Sequence, residues 1–227
     1  VKIQAVVLTA GLGLRMKADG PKALMTFLGL PLFSHCLRRL EAEPLVESIV
    51  LVAGADRLAR FERVVRREGF RKVRKVVPGG ERRCDSVARG LAALDDDTTH
   101  VVVHDGARPY FCPDALSAAL KIVRDAPAVI MAVPVKPTIK EVDPETLTVR
   151  NTLRRECLWE AQTPQVFRRD VLRKAHEQDK SDNPTDDAVL VERLGLPVKV
   201  VLGDYRNIKI TTPEDLPLAE ELLKDKI

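Results

Sequence analysis

Apolar residues fall into two kinds of run along this chain. Short, nearly continuous runs of Val, Ile and Leu alternate with stretches in which apolar positions recur every three or four residues. The first kind predicts strands buried on both faces, the second helices that cover them. Ile3-Gln4-Ala5-Val6-Val7-Leu8 reads as the first strand, followed by the loop Ala10-Gly11-Leu12-Gly13 and a helix with Phe33, Cys36, Leu37 and Leu40 on one face. Ser48 to Val52 is the second strand. The next helix carries Leu58, Phe61, Val64 and Val65, with Asp56 as its cap and Gly69 at its stop. Lys72 to Val77 leads into Gly79-Gly80, after which Asp85 or Ser86 caps a helix bearing Val87, Leu91 and Leu94. Val101-Val102-Val103 has the unbroken β-branched character of a central strand, Pro113 opens a helix bearing Leu116, Leu120 and Val123, and Val129 to Val133 is the fifth strand.

The alternation breaks at residues 134–157. Thr138 to Val142 and Thr146 to Arg150 read as two strands around Asp143-Pro144-Glu145, too polar to fill a core. They predict a protruding β-hairpin arm, for which a second copy of the chain is the economical partner. Order resumes with Leu158 to Phe167, a helix from Arg169, a helix capped by Thr185, and strands at Val198 to Leu202 and Asn207 to Ile210. A last helix follows, with Thr212 as cap, Pro213 first and Asp215 three residues after the cap. The expected architecture is one α/β domain over residues 1–227, a mostly parallel sheet with the arm inserted at 134–157.

Composition narrows the function. The chain has 227 residues, 45% hydrophobic and 31% charged, which excludes a disordered or collagen-like chain. A net charge of +4 suits an anionic small molecule as well as nucleic acid, but 4% aromatics is too few for a base-stacking platform. The basic pairs Arg66-Arg67, Arg71-Lys72, Arg74-Lys75 and Arg82-Arg83 raise the option of an RNA binder; a solvated helix face and strand edge is the simpler reading. Cys36, Cys84, Cys112 and Cys157 form no Cys-x-x-Cys pair and suggest reduced, mostly buried thiols in the cytoplasm. There is no His-Glu-x-x-His pattern, no leader-like start, and the longest apolar run, near Val129 to Val135, is too short to span a bilayer.

In an open parallel sheet, ligands bind beyond the carboxyl ends of the strands. One such end carries Thr9-Ala10-Gly11-Leu12-Gly13-Leu14-Arg15-Met16 and then Pro21-Lys22, glycines that admit an anion to the backbone followed by two cations. It is neither a Rossmann fingerprint nor a Walker loop. A second end carries Asp105-Gly106-Ala107-Arg108-Pro109, a carboxylate able to meet a metal or a hydroxyl beside a planar cation. Asn207-Ile208-Lys209 matters only if it lies beside the glycine loop. Arg155 is by default one charge in a charged run, and Gly79-Gly80-Glu81 a turn.

Together these segments, with Asp85-Ser86-Val87, Ala161-Gln162-Thr163-Pro164-Gln165 and Thr185-Asp186-Asp187, stand in an order that resembles the 2-C-methyl-D-erythritol 4-phosphate cytidylyltransferase family from Ala5 to Leu222. The resemblance implies a Rossmann-like, glycosyltransferase-A-like nucleotidyltransferase fold, a homodimer clasped by the arm, and Mg²⁺-dependent transfer of CMP from CTP to methylerythritol phosphate, without nucleic acid or membrane. It implies that Arg15 and Lys22 stabilise the transition state and that Arg155 and Lys209 position the methylerythritol phosphate. Asp105, Arg108, Thr138, Thr163 and Thr185 would line that substrate's pocket, Asp105 also being a candidate for the metal, directly or through water. Thr9, Ala10, Gly11, Gly13, Gly79, Gly80, Glu81, Asp85 and Ser86 would form the nucleotide's side. Thr9, Leu14, Glu81 and Gly106 depart from residues common in the family, yet none removes a proposed catalytic group. A ribitol 5-phosphate cytidylyltransferase and a non-catalytic sugar-nucleotide-binding regulator are the rival readings. Asp85-Ser86-Val87 and Arg155-x-x-Leu158-Trp159 look more like the methylerythritol enzyme, and Arg15, Lys22, Asp105 and Lys209 together speak against a pure binder.

Overall fold

The computed structural model describes residues 1–11, 13, 21–179 and 184–225. Strand β1 (Ile3–Leu8) is followed by a short ribbon, β2 (Thr26–Phe27) and β3 (Leu30–Pro31), and by α1 (Leu32–Ala42). Next come β4 (Ser48–Ala53), α2 (Leu58–Glu68), β5 (Val73–Pro78), α3 (Arg83–Ala92), β6 (His100–Asp105), α4 (Pro113–Ile122) and β7 (Ala128–Pro134). The ribbon β8 (Lys140–Val142) and β9 (Val149–Thr152) precedes β10 (Trp159–Arg168), α5 (Arg169–Gln178), α6 (Ala188–Arg193), β11 (Val198–Leu202) and α7 (Asp215–Leu223).

Seven strands form the central sheet in the order β11-β7-β10-β6-β1-β4-β5. Among them β10 alone runs against its neighbours, pairing antiparallel with both β6 and β7, so the sheet is mostly parallel as expected. Strand periodicity divides the core. Ala5, Val7, Ile49, Leu51 and Val102 face a layer built on Phe33, Leu37, Phe61 and Leu116, whereas Val6, Val50, Val52, Val101 and Val103 face Val87, Leu91, Leu172 and Val191. Both faces are therefore covered, which is why these strands read as unbroken apolar runs. A third cluster joins Phe27 and Tyr110 to Ile210, Ala219 and Leu223, docking α7 beside the glycine loop's exit.

Several expected boundaries move, each for a local reason. Helix α3 starts at Arg83, and Asp85 is its third residue, accepting from the Arg82 backbone N–H at 3.1 Å. Asp186, not Thr185, satisfies the start of α6, accepting from Val189 N–H at 3.1 Å. Helix α7 begins at Asp215, two residues later than expected, yet Asp215 Oδ2 accepts from the N–H groups of Thr211 and Thr212 at 2.7 and 2.9 Å, the reach-back bond to Thr212 that the pattern predicts. Residues 207–210 are no strand. They are pinned by Ile210 N–H on Ala107 O at 2.9 Å and by the Asn207 side chain on Thr163 O at 2.9 Å. In the 134–157 segment, Asp143 Oδ1 accepts from the N–H groups of Glu145 and Thr146. The turn thus runs on through Leu147, and the second strand starts at Val149 rather than Thr146. All ribbon residues are exposed. The four thiols are unpaired, but Cys36 alone is buried and Cys157 is exposed, so the expectation of mostly buried thiols does not hold.

Candidate active site

The carboxyl ends of β1, β5 and β6 open on a cleft of about 460 Å³. Thr9 directly follows β1 and is pinned to β4, its N–H and hydroxyl both donating to Val52 O, at 2.7 and 2.8 Å. Ala10 and Gly11 form the cleft wall beside it, and Gly79, Gly80, Glu81 and Ser86 form the opposite one. At Gly79 a Cβ would lie 2.4 Å from Ala10 Cβ, so only glycine lets the two loops approach this closely. Ser86 Oγ accepts from Gly80 N–H at 3.1 Å, which shapes the turn and leaves the hydroxyl proton to donate elsewhere. Asp85 does not line the cleft. Hydrogen bonds from Arg82 hold its carboxyl down at about 2, and it braces the loop from behind. Gly13 also stands behind the wall, at φ +64°, where a Cβ would lie 2.8 Å from Lys22 Cβ. Lys22 itself enters the cleft, its Nζ donating to Ile210 O at 2.6 Å, so the glycine loop and the Asn207-Ile208-Lys209 segment do lie side by side. Arg15 lies outside the described residues.

A second lobe of about 250 Å³ is lined by Arg108, Thr163 and Thr185. Arg83, Asp105 and Lys209 belong to both lobes and form the wall between them. Asp105 is 6% exposed and meets a cation on each oxygen: Arg83 Nε at 3.1 Å and Lys209 Nζ at 2.7 Å. Burial opposes its charge, but the Arg83 guanidinium, Lys209 and Arg108 hold its carboxyl far below the usual range. Arg108 is buried, which lowers its pKa. It nonetheless stays cationic and donates to Asn207 O at 2.6 Å.

Behind Asp105, burial pushes His104 down to about 4, so the ring is neutral. Its Nε2 faces a carbonyl, Arg108 O at 3.1 Å, and must carry the proton. Its Nδ1 therefore accepts from the Thr163 hydroxyl at 3.1 Å. Thr163 Oγ1 in turn accepts from Asp105 N–H at 3.0 Å. Thr163 thus reaches the second lobe with its hydroxyl already committed to holding Asp105.

Thr138 and Arg155 are not brought to either lobe within one chain. Both are exposed on or near the ribbon, and Arg155 Nη1 donates to Lys136 O at 2.9 Å. The ribbon's base is fixed by Tyr205, whose hydroxyl donates to Pro134 O at 2.7 Å and whose ring lies 3.6 Å from Lys136 Nζ. Sequence reasoning missed Arg83 and Asp187. Arg83 is one of two adjacent arginines, and only the start of α3 decides that it, rather than Arg82, turns inward. A larger hollow of about 640 Å³ at the other end of the sheet contains none of the candidate residues.

Among the described residues no cluster of three His, Cys, Asp or Glu side chains could hold a metal, and no helix is long and apolar enough to cross a membrane. Comparisons with known proteins agree with the geometry. Residues 3–225 match the family model for 2-C-methyl-D-erythritol 4-phosphate cytidylyltransferase. The protein of that name from Pelotomaculum thermopropionicum is 49% identical over 227 residues, covering 98% of this chain and 94% of the relative. The one from Geobacter metallireducens is 44% identical, with 98% of each covered. Among solved structures, 4-diphosphocytidyl-2C-methyl-D-erythritol synthase from Anaerococcus prevotii superposes with a TM-score of 0.86 at 30% identity, over 98% of this chain and 96% of that one. The cytidylyltransferase from Thermus thermophilus gives 0.79 at 29% identity, over 99% and 100%. A strand-end cleft in two lobes, with Lys209 on the wall they share, thus sits in a chain that belongs to the 2-C-methyl-D-erythritol 4-phosphate cytidylyltransferase family, whose members convert CTP and 2-C-methyl-D-erythritol 4-phosphate to 4-diphosphocytidyl-2-C-methyl-D-erythritol.

Proposed function

We propose that this cleft carries out the family's reaction by gathering positive charge about the α-phosphorus of CTP. The observation that carries the proposal is the placement of Lys209 and Arg83 on the wall shared by the two lobes, with Lys22 in the first lobe and Arg108 in the second. The attacking oxygen belongs to a phosphate and is already anionic, so the step needs no strong base. The barrier comes from bringing two anions together and from charge building up on the transferring phosphoryl group. Fixed cations answer both, and one such contact is commonly worth about 2.7–4 kcal/mol in the transition state. The phosphate of methylerythritol phosphate attacks the α-phosphorus, and pyrophosphate leaves with the bond electrons.

The glycine walls suit cytosine. Its amino group donates while N3 and O2 accept, a pattern that backbone C=O and N–H groups and the Ser86 hydroxyl can match. Arg15, carried over by resemblance, adds a further cation on the same loop.

The donor set fits a Mg²⁺ ion that arrives on the triphosphate rather than one the chain holds alone. Asp105 is the one carboxylate on the shared wall, and both its oxygens face cations. Bound there, Mg²⁺ would supply charge neutralisation of the phosphates. The arm is proposed to complete the site of a second copy of the chain, bringing Thr138 and Arg155 to it. Exposed Val142, Leu147, Val149 and Trp159 on and beside the arm offer that copy an apolar surface. Four unpaired cysteines accord with action in the reducing cytoplasm.

Lys22→Ala tests the central role. The expected result is a kcat lower by about 10²–10³ with CTP affinity changed far less. An unchanged kcat would remove Lys22 from the reaction. Comparable turnover with ribitol 5-phosphate would overturn the choice of second substrate.

A further inference from the structure

Asp105 is held from behind by a chain of polar groups whose far end, Asp187 and His176, the reaction scheme above does not use. On α5, His176 Nε2 lies 3.0 Å from Asp187 Oδ1. Asp187 Oδ2 accepts from Arg83 Nη1 at 2.7 Å, Arg83 Nε donates to Asp105 Oδ1 at 3.1 Å, and Asp105 Oδ2 meets Lys209 Nζ at 2.7 Å. From Asp187 to Lys209 charge alternates along the row, which runs from the helix layer into the wall shared by the two lobes. Asp187 is 1% exposed and lines neither lobe, so it touches no substrate.

Lys209 stands on a segment outside the sheet, and its side chain is still 38% exposed. A lysine there has many rotamers to choose from, each costing entropy to suppress. The carboxylate of Asp105 selects one. A carboxylate with a single partner can rotate, however, and would then carry Lys209 with it. Arg83 stops that rotation by taking the other oxygen. Arg83 in turn has a long side chain whose plane is fixed because two of its nitrogens are anchored on different carboxylates. Each member therefore fixes the next, and Asp187 is the immobile end.

We propose that Asp187 and Arg83 are positioning residues for the transfer: acting through Asp105, they aim Lys209 at the phosphate of the second substrate. The proposal rests on the reading of Lys209 as the cation that receives that phosphate. A merely structural ion pair would contribute to stability and leave the turnover of the folded protein alone.

The test is a double-mutant cycle on the intact protein, with CTP, Mg²⁺ and methylerythritol phosphate, following pyrophosphate release. Asp187→Asn should lower kcat/KM for methylerythritol phosphate by about 10–100-fold, the usual size of an effect relayed through a ligand's support. CTP affinity, measured by calorimetry, should stay within about threefold. Lys209→Gln should be at least as severe. Combining the two should cost no more than Lys209→Gln alone to within about threefold, because both remove one aligned cation. Arg83→Lys, which keeps the charge but cannot reach both carboxylates, should fall between wild type and Arg83→Gln. If Asp187→Asn does not fold, the same cycle is run with Arg83→Lys. Losses that multiply in full, or a folded Asp187→Asn protein with wild-type kcat/KM and only a lower melting temperature, would overturn the positioning role. Wild-type kinetics in Lys209→Gln would instead overturn the reading of Lys209 on which the proposal rests.

Discussion

Two inactive variants should restore each other if the arm serves a neighbouring copy. Lys22 sits in the cleft, whereas Arg155 stands at the base of the ribbon, exposed and bonded to Lys136 O, away from its own chain's lobes. Suppose each site takes Lys22 from one chain and Arg155 from the other. A mixed dimer of Lys22→Ala and Arg155→Ala chains then has one site with both residues and one with neither. Random exchange makes half of the dimers mixed, and half of their sites are whole, so about a quarter of wild-type activity returns. Each parent, lacking one phosphate-facing cation, retains about 10⁻²–10⁻³ of wild-type activity, so the recovery stands well clear of the background. The assay is pyrophosphate release after co-incubation, with differently tagged chains used to count mixed dimers. If Arg155 served its own chain, every site in a mixed dimer would carry one lesion. Activity at the mean of the two parents, with mixed dimers demonstrably present, would refute the arm's role.

Thr163→Val removes the hydroxyl that links Asp105 N–H to His104 Nδ1 and leaves both buried groups unsatisfied. Stability to urea should fall by about 1–3 kcal/mol per orphaned group, and an unchanged midpoint would show that the link is not formed. His104 is neutral when folded, with its pKa lowered from 6.5 to about 4 by burial. The unfolded chain therefore takes up a proton first, and stability is lost as pH falls from about 6.5 to about 4. The loss amounts to about 3 kcal/mol, so His104→Gln should flatten urea stability across that window by about this amount, and an unaltered slope would contradict it. Asp105 has the same sign in a lower window: its depressed carboxyl contributes stability that is present above pH 3.8 and is lost as pH falls below it. Calorimetric titration of Mg²⁺ should give saturable binding with CTP present and none with the chain alone; tight binding to the chain alone would contradict a nucleotide-borne metal.

The fold was open to reading because both faces of the sheet are covered. Val101-Val102-Val103 and Val129 to Val133 announce buried strands by composition alone, and Phe33, Cys36, Leu37 and Leu40 mark a helix by spacing. Caps were harder, since several candidate carboxylates and hydroxyls crowd each helix start. At α6 the choice among Thr185, Asp186 and Asp187 is decided by tertiary partners, Asp187 being drawn away to Arg83 and His176. The segment around Lys209 looked like a strand, but its Asn207 and Ile210 carbonyls accept from the side chains of Arg108 and Lys22, and its Asn207 side chain donates out to Thr163 O. Arg83 stayed hidden because nothing in Glu81-Arg82-Arg83 distinguishes an inward arginine from an outward one. The nearby Asp85-Ser86 and the distant Asp186-Asp187 pair were the available signals, and only folding brings the second to the first.

The claim beneath all of this is that the shared wall of the two lobes receives the α-phosphate of CTP. A crystal structure with CTP and Mg²⁺ bound tests it directly. Cytosine is expected between the Thr9–Gly11 and Gly79–Ser86 walls, with the α-phosphorus within reach of Lys22 and on the side of Lys209 and Asp105. A nucleotide bound in the arginine-lined hollow at the opposite end of the sheet, with Lys22 and Lys209 facing solvent, would contradict it.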